Sequence, residues 1–288
     1  MLILAGAGLG PGSVSDSLKK LLGDADLVVV ETYTSPMSDW VVKLAKAYAR
    51  EVTVATRDLL EERSHEIVRL AAEKDVVVLV PGDPMIATTH SSLVVEALGS
   101  GVKARVIPAV SGPCASMSAS GLQFYRFGRK ITIPGPWRGV GLTSVALWLL
   151  GNLCLNLHTL FLLDVSPSGD QLSPADGARA VLNGLKELLG DVPQAFGGLL
   201  ALAISVGEGQ VESSYSTLSQ PQGLRELKPS SLIVPSHLHV SEREFLQAFH
   251  GVDEKTIRNH ELSLTSLDAC RLFFAAREKA IGMESASS

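Results

Sequence analysis

The residues with the most chemical content fall in three short stretches: GAGLGPG (residues 6–12), ETYTS (31–35) and PGDPMIATTH (81–90). The last follows a continuous run of β-branched and leucine side chains. Two prolines there bracket Gly82 and Asp83, and Ala87, Thr88 and Thr89 lead on to His90. A strand stopped by proline, with one carboxylate at its end and small side chains beyond, lets backbone pass close to a bulky ligand. A glycine loop between a first strand and a first helix does the same. The purely structural reading of Asp83 is a turn-forming residue. Three strand ends dressed in this way favour a ligand site, because open α/β sheets bind ligands beyond the carboxyl ends of their strands.

Several chemistries are weakened by the same residues. A dinucleotide fingerprint fails in register: counting from Gly6 the third glycine position is Pro11, and from Gly8 it is Ser13. Glu31 nonetheless stands where a ribose-binding acid belongs. There is no Ser–His–Asp order, no metal-ligand cluster and no pair of carboxylates with a shared local spacing. The seven histidines are scattered; His90 and His239 have either a structural or a substrate-facing reading. No general base is assigned. Arg126, Arg129 and Lys130 flank Phe124 and Tyr125, as a solvated face or as a contact for an acidic or protein substrate.

The positioning elements follow from the apolar pattern. Short apolar runs at 2–5, 27–31, 51–55, 76–80 and 102–107 alternate with helical patterns at 13–22, 39–49, 58–73 and 91–98, which predicts crossovers and a mostly parallel sheet. Small residues dominate 108–121 and mark a connection. Beyond it the pattern predicts strands at 130–133, 159–164, 199–206 and 231–234 and helices at 174–189, 222–227 and 241–249. A last amphipathic helix is predicted at 265–281, capped by Thr265 and Asp268. The domains expected are 1–112, a connecting segment 113–128, and 129–288.

The chain has 288 residues, 46% hydrophobic and 19% charged, which is a globular composition with ample core. A net charge of -5 argues against nucleic-acid binding. Cys114, Cys154 and Cys270 are far apart, so no disulfide or zinc site is expected and a reducing cytoplasm is the simplest setting. Residues 139–163 contain no Asp, Glu, Lys or Arg, long enough to span a bilayer. Gly151-Asn152 and Asn156-Leu157-His158 instead divide the run into a helix and a strand. A helix with hardly any polar face is covered all round, so part of 142–155 is expected in a subunit interface.

Taken together, PGDPMIATTH, ETYTS, GLQFYRFGR (121–129), HTLFLLD (158–164) and LIVPSHLH (232–239) resemble the tetrapyrrole methylase superfamily, the class III S-adenosylmethionine-dependent methyltransferases. Within it they resemble the diphthine synthase branch, over residues 2 to about 249. The resemblance implies two α/β/α domains with mostly parallel or mixed sheets, S-adenosylmethionine in the cleft between them, and a homodimer. It implies as substrate a histidine of translation elongation factor 2 that carries a 3-amino-3-carboxypropyl group, whose amine is methylated to give diphthine. It carries cofactor contacts onto Leu9, Asp83, Ile86, Ser111, Gly112, Leu163, Val206 and Ser230. Relatives often have His where Ser230 stands, and a side chain where Gly112 has none. The competing expectations are a tetrapyrrole methyltransferase and a non-enzymatic α/β ligand-binding protein.

Overall fold

The computed structural model of the chain describes residues 1–36, 38–207 and 209–286. The chain divides into two compact units: Met1–Ala115 with Pro167–Asp170 and Val206–Gln210, and Ser116–Ser166 with Gln171–Ser205 and Val211–Ser288.

The first unit runs β1 (Leu2–Gly6), α1 (Asp16–Asp24), β2 (Leu27–Glu31), α2 (Ser38–Tyr48), β3 (Val52–Ala55), α3 (Arg57–Glu61), α4 (Ser64–Glu73), β4 (Val76–Val80), α5 (Ser91–Gly99) and β5 (Ala104–Ile107). α6 (Gly112–Ala119) follows and crosses the division between the units. Every strand pairing recorded in the first sheet is parallel, in the order β3-β2-β4-β1-β5. β1, β2 and β4 are buried along their whole length, because both faces are covered. α1 and α2 pack on one face, through Leu18, Leu22, Val41 and Ala45. α4 and α5 pack on the other, through Ile67, Val68, Leu93 and Ala97. Ser15 and Thr56 accept backbone N–H bonds at the starts of α1 and α3.

The second unit contains β6 (Ile131–Ile133), α7 (Thr143–Cys154), β7 (Thr159–Leu163), α8 (Pro174–Leu189), β8 (Leu200–Gly207), β9 (Gln210–Thr217) and β10 (Ser231–Val234). It closes with α9 (Val240–His250), α10 (Glu254–Ser266) and α11 (Ala269–Ala286). Its sheet is mixed, in the order β6-β7-β10-β8-β9, with β10 antiparallel to both β7 and β8.

The charge-free run 139–163 divides into α7 and β7, and no helix among the described residues is long and apolar enough to cross a membrane. α7 is covered by α8 and α11 of its own chain, with Val145, Ala146, Leu149 and Leu150 fully buried. A Cβ on Gly151 would lie 3.0 Å from the Phe273 ring, which shows how closely α11 approaches. α11, remote in sequence, supplies much of the cover for α7, while Leu155, within the run expected to meet a partner subunit, stands 70% exposed. Cys154 of α7 and Cys270 of α11 form a disulfide across 116 residues, which overturns the expectation of free cysteines. Spacing along the chain hides a pair that tertiary packing brings together.

Two smaller expectations also change, and one strand has no counterpart in the apolar pattern. Asp268 alone opens α11, its Oδ1 accepting from Arg271 N at 3.0 Å, while Thr265 belongs to α10. Residues 222–227 hold no α-helix, only the end of a 3-10 turn at Pro221–Gly223. β9 is an edge strand whose half-exposed, polar sequence carries no apolar run.

Candidate active site

Backbone contacts lace together the carboxyl ends of β1, β4 and β5. Gly8 and Gly82 exchange N–H···O bonds of 3.1 and 2.9 Å. Both adopt left-handed φ, +77° and +74°, which favours glycine. A Cβ on Gly6 would lie 2.5 Å from Gly82 O and 2.7 Å from Ala109 Cβ, so this approach admits no side chain. Asp83 fastens the turn to the end of β5. Its Oδ1 accepts from Met85 N and its Oδ2 from Ala109 N, each at 2.9 Å. Each oxygen keeps acceptor capacity beyond these bonds.

Four other predicted site residues lie on the same loops. Ser111 is buried, and its Oγ accepts from Cys114 N at 3.3 Å as α6 begins. A Cβ on Gly112 would meet nothing within 4 Å. Leu9 is half-buried, and Ile86 is 44% exposed although large and apolar. The structure thus brings Leu9, Asp83, Ile86, Ser111 and Gly112 onto the connected loops of three neighbouring strands.

In the second unit Leu163 ends β7 and Ser230 precedes β10, on antiparallel neighbours. Gln171 joins them. Its Nε2 donates to Leu163 O at 3.3 Å and Ser230 O at 3.0 Å, and its Oε1 accepts from Ser230 N at 2.8 Å. Sequence reasoning missed Gln171, since a lone Gln in a loop carries no signal. Ser230 is 7% exposed, and its Oγ has no hydrogen-bond partner among the described residues. Val206 is half-buried near the end of β8 and falls with the first unit.

Other motif residues serve the framework. The Glu31 carboxylate is fully buried and accepts from Tyr33 N, Thr34 N and the Thr34 hydroxyl, so it caps its own turn and leaves no place for a ribose. Arg126 is corrected from a possible substrate contact: its guanidinium donates to Glu242 Oε2 and His237 O, both at 2.5 Å. Glu242, fully buried, also accepts from His158 Nε2 at 3.0 Å, Gln123 N at 2.8 Å and His239 N at 2.7 Å. Burial alone would push its carboxyl up, but the bonds from His158 and the two backbone amides outweigh it and hold the group down at about 2. His239 caps α9, its Nδ1 accepting from Ser241 N. Glu242 three residues after that cap was a legible sequence signal, a variant of the capping box.

In the first unit, an exposed apolar side chain, Ile86, beside backbone-lined loops fits the face of a flat nucleoside. Residues 1–194 match the family model of the tetrapyrrole (corrin/porphyrin) methylases. A protein called diphthine synthase from Aeropyrum pernix is 46% identical over 260 residues, covering 87% of each chain. The crystal structure of a conserved hypothetical protein from Aeropyrum pernix K1 superposes with a TM-score of 0.84 at 38% identity, covering 95% of this chain and 98% of that one. A crystal structure of a diphthine synthase gives 0.76 at 28% identity, over 90% and 99% of the two chains.

Proposed function

The chain belongs to the tetrapyrrole methylases, on their diphthine synthase branch, and from that premise we propose that it methylates the amine of the 3-amino-3-carboxypropyl histidine of translation elongation factor 2. The enzyme is an S-adenosylmethionine-dependent methyltransferase of diphthamide biosynthesis. The reading is carried by the 46% identity that extends over 87% of both chains.

The proposed cofactor contacts are Leu9, Asp83, Ile86, Ser111, Gly112 and Val206, which fall in the first unit, and Leu163 and Ser230, which fall in the second. When bound, the cofactor supplies a methyl group already activated by its sulfonium. The protein's share is then alignment and exclusion of water. Asp83 holds the loop after β4 against the end of β5. Gln171 fixes the Leu163 and Ser230 backbones. Leu9, Ile86 and Val206 offer apolar contact, and the Ser230 hydroxyl waits for a polar one. A homodimer in the cytoplasm, where the elongation factor works, completes the proposal.

The test is transfer of labelled methyl from S-adenosylmethionine to elongation factor 2 bearing the precursor side chain. Label on the modified histidine is the outcome expected. Cofactor binding without label would refute the substrate, and no binding of S-adenosylhomocysteine by calorimetry would refute the cofactor.

A further inference from the structure

The first sheet has a second feature that the cofactor positions do not use. From β2 the chain leaves toward β3 through α2, and from β4 it leaves toward β5 through α5. β2 and β4 are neighbours, yet α2 packs on one face of the sheet and α5 on the other. Adjacent strands whose connections diverge to opposite faces form a topological switch point, where α/β sheets bind ligands. The cofactor positions of this unit's first five strands lie after β1, β4 and β5; the β2–β4 switch point shares only the β4 loop with them.

That switch point holds two orphaned polar atoms. The Tyr33 hydroxyl, after β2, and His90 Nε2, after β4, are buried without a hydrogen-bond partner among the described residues. His90 is 2% exposed. Its Nδ1 lies 3.2 Å from Pro84 O, and a carbonyl only accepts, so Nδ1 is the donor; in the neutral ring Nε2 then carries the lone pair. Buried polar groups are ordinarily paired, so each orphan calls for a reason. The turn that bears His90 includes Ala87 at φ +58°, a left-handed conformation that side chains rarely adopt and that concentrates at functional sites. Beside it the Arg57 guanidinium lies 4.9 Å from the centre of the Tyr33 ring. Its nearest carboxylate, Glu61 Oε1, is 3.6 Å away, beyond hydrogen-bond length, and Thr89 Oγ1 donates to that same oxygen at 3.4 Å.

We infer that the β2–β4 switch point is the acceptor subsite, in which His90 Nε2 takes the proton from the acceptor amine and Arg57 pairs with the acceptor carboxylate. The inference rests on the proposed function, because the 3-amino-3-carboxypropyl group is what offers an amine and a carboxylate together. The amine enters as an ammonium. Its N–H bond breaks, the proton passes to the imidazole lone pair, and the electron pair left on nitrogen forms the new N–C bond as the methyl leaves sulfur. The imidazolium then returns its proton to water. Arg57 presents a planar fork of donors suited to a carboxylate.

The experiment compares His90→Ala and His90→Asn with the wild type in single-turnover methyl transfer to precursor-bearing elongation factor 2. Asn keeps a donor for Pro84 O and lacks a basic nitrogen. Both variants should transfer about 100-fold more slowly or worse, with S-adenosylhomocysteine affinity preserved; His90→Ala, which leaves a cavity and an unpaired Pro84 O, should melt lower, and His90→Asn closer to wild type. Imidazole should partly restore His90→Ala, and pyrazole, the same ring shape without a comparably basic nitrogen, should not. Arg57→Gln should raise KM for the elongation factor by about tenfold and leave kcat in place. Rates for both His90 variants within about tenfold of wild type, equal rescue by both rings, or loss of the fold in both variants would overturn the inference and leave the methyltransferase reading standing. A wild-type enzyme that binds cofactor but transfers nothing to this acceptor would overturn both.

Discussion

His158 and Glu242, 84 residues apart, meet inside the second unit with both side chains fully buried, Nε2 donating to Oε1 at 3.0 Å. The other ring nitrogen, Nδ1, accepts from Ser236 N at 3.0 Å, so a backbone donor fixes the neutral tautomer. Each Glu242 oxygen receives two donors, one of them the Arg126 guanidinium. Four donors leave no place for an amide –NH₂. Glu242→Gln should therefore cost about 3–5 kcal/mol, the scale for breaking a buried pair on one side. Urea unfolding at pH 7 measures it, and a loss below about 1 kcal/mol would show that the hub carries little stability.

A second buried histidine makes stability depend on pH. His260 Nδ1 accepts from Leu200 N at 3.0 Å and its Nε2 donates to Ser236 O at 3.3 Å. Burial pushes its pKa down from 6.5 to about 4. The unfolded chain thus binds the proton first as pH falls, and stability present above pH 6.5 is lost on the way down to 4. Between pH 7 and pH 5 the loss should be about 2 kcal/mol from this group. Glu242, held near 2 against an ordinary 4.5, adds a separate loss below pH 4.5. Urea midpoints taken through this range, in wild type and His260→Gln, separate the two: the upper limb should flatten in the variant.

The disulfide should matter in proportion to the loop it closes. Cys154 and Cys270 enclose 116 residues and tie α11 onto α7. Chain-entropy estimates for such loops run to about 4–5 kcal/mol. Reductant should lower the wild-type melting temperature and leave Cys270→Ser, already lowered, where it is. A wild-type melt indifferent to reductant would mean that packing of Phe273 against Trp148 holds α11 unaided.

Asp83 has a narrower role than its setting between prolines announces. Both oxygens already brace backbone amides, one of them across to β5. Asp83→Ala should weaken S-adenosylhomocysteine binding by about tenfold or more, the equivalent of one or two hydrogen bonds, while circular dichroism stays native. Unchanged affinity by calorimetry would remove Asp83 from the site.

The first unit was legible in the sequence because its strands are apolar throughout and alternate with helical periods; all five run where the pattern put them. The family motifs and the position of the glycine loop were legible for the same local reasons. What escaped was long-range. α10 carries His260 on a mostly polar helix and reads as tail until its burial against Leu200 N is seen. Gln171 gains meaning only when β7 and β10 lie side by side. Arg126 looked free for substrate because its partner lies 116 residues on. Gly6 and Gly8 of the first loop showed their role only as partners of Gly82 and Ala109.

Ser230 offers a test in which stability and affinity move in opposite directions. Its hydroxyl is buried without a partner among the described residues, so in the free protein Ser230→Ala removes a desolvated polar group and should leave the melting temperature equal or higher. If that hydroxyl is reserved for the cofactor, the same variant should bind S-adenosylhomocysteine about tenfold more weakly. Gln171→Leu should behave differently. It strips bonds from Leu163 O, Ser230 O and Ser230 N at once, so both melting temperature and affinity should fall. Calorimetry and melts on the two variants read this contrast directly. A Ser230→Ala protein with unaltered affinity would show that the hydroxyl serves no ligand, and that the cofactor, if held on this side, is held by the backbone that Gln171 fixes.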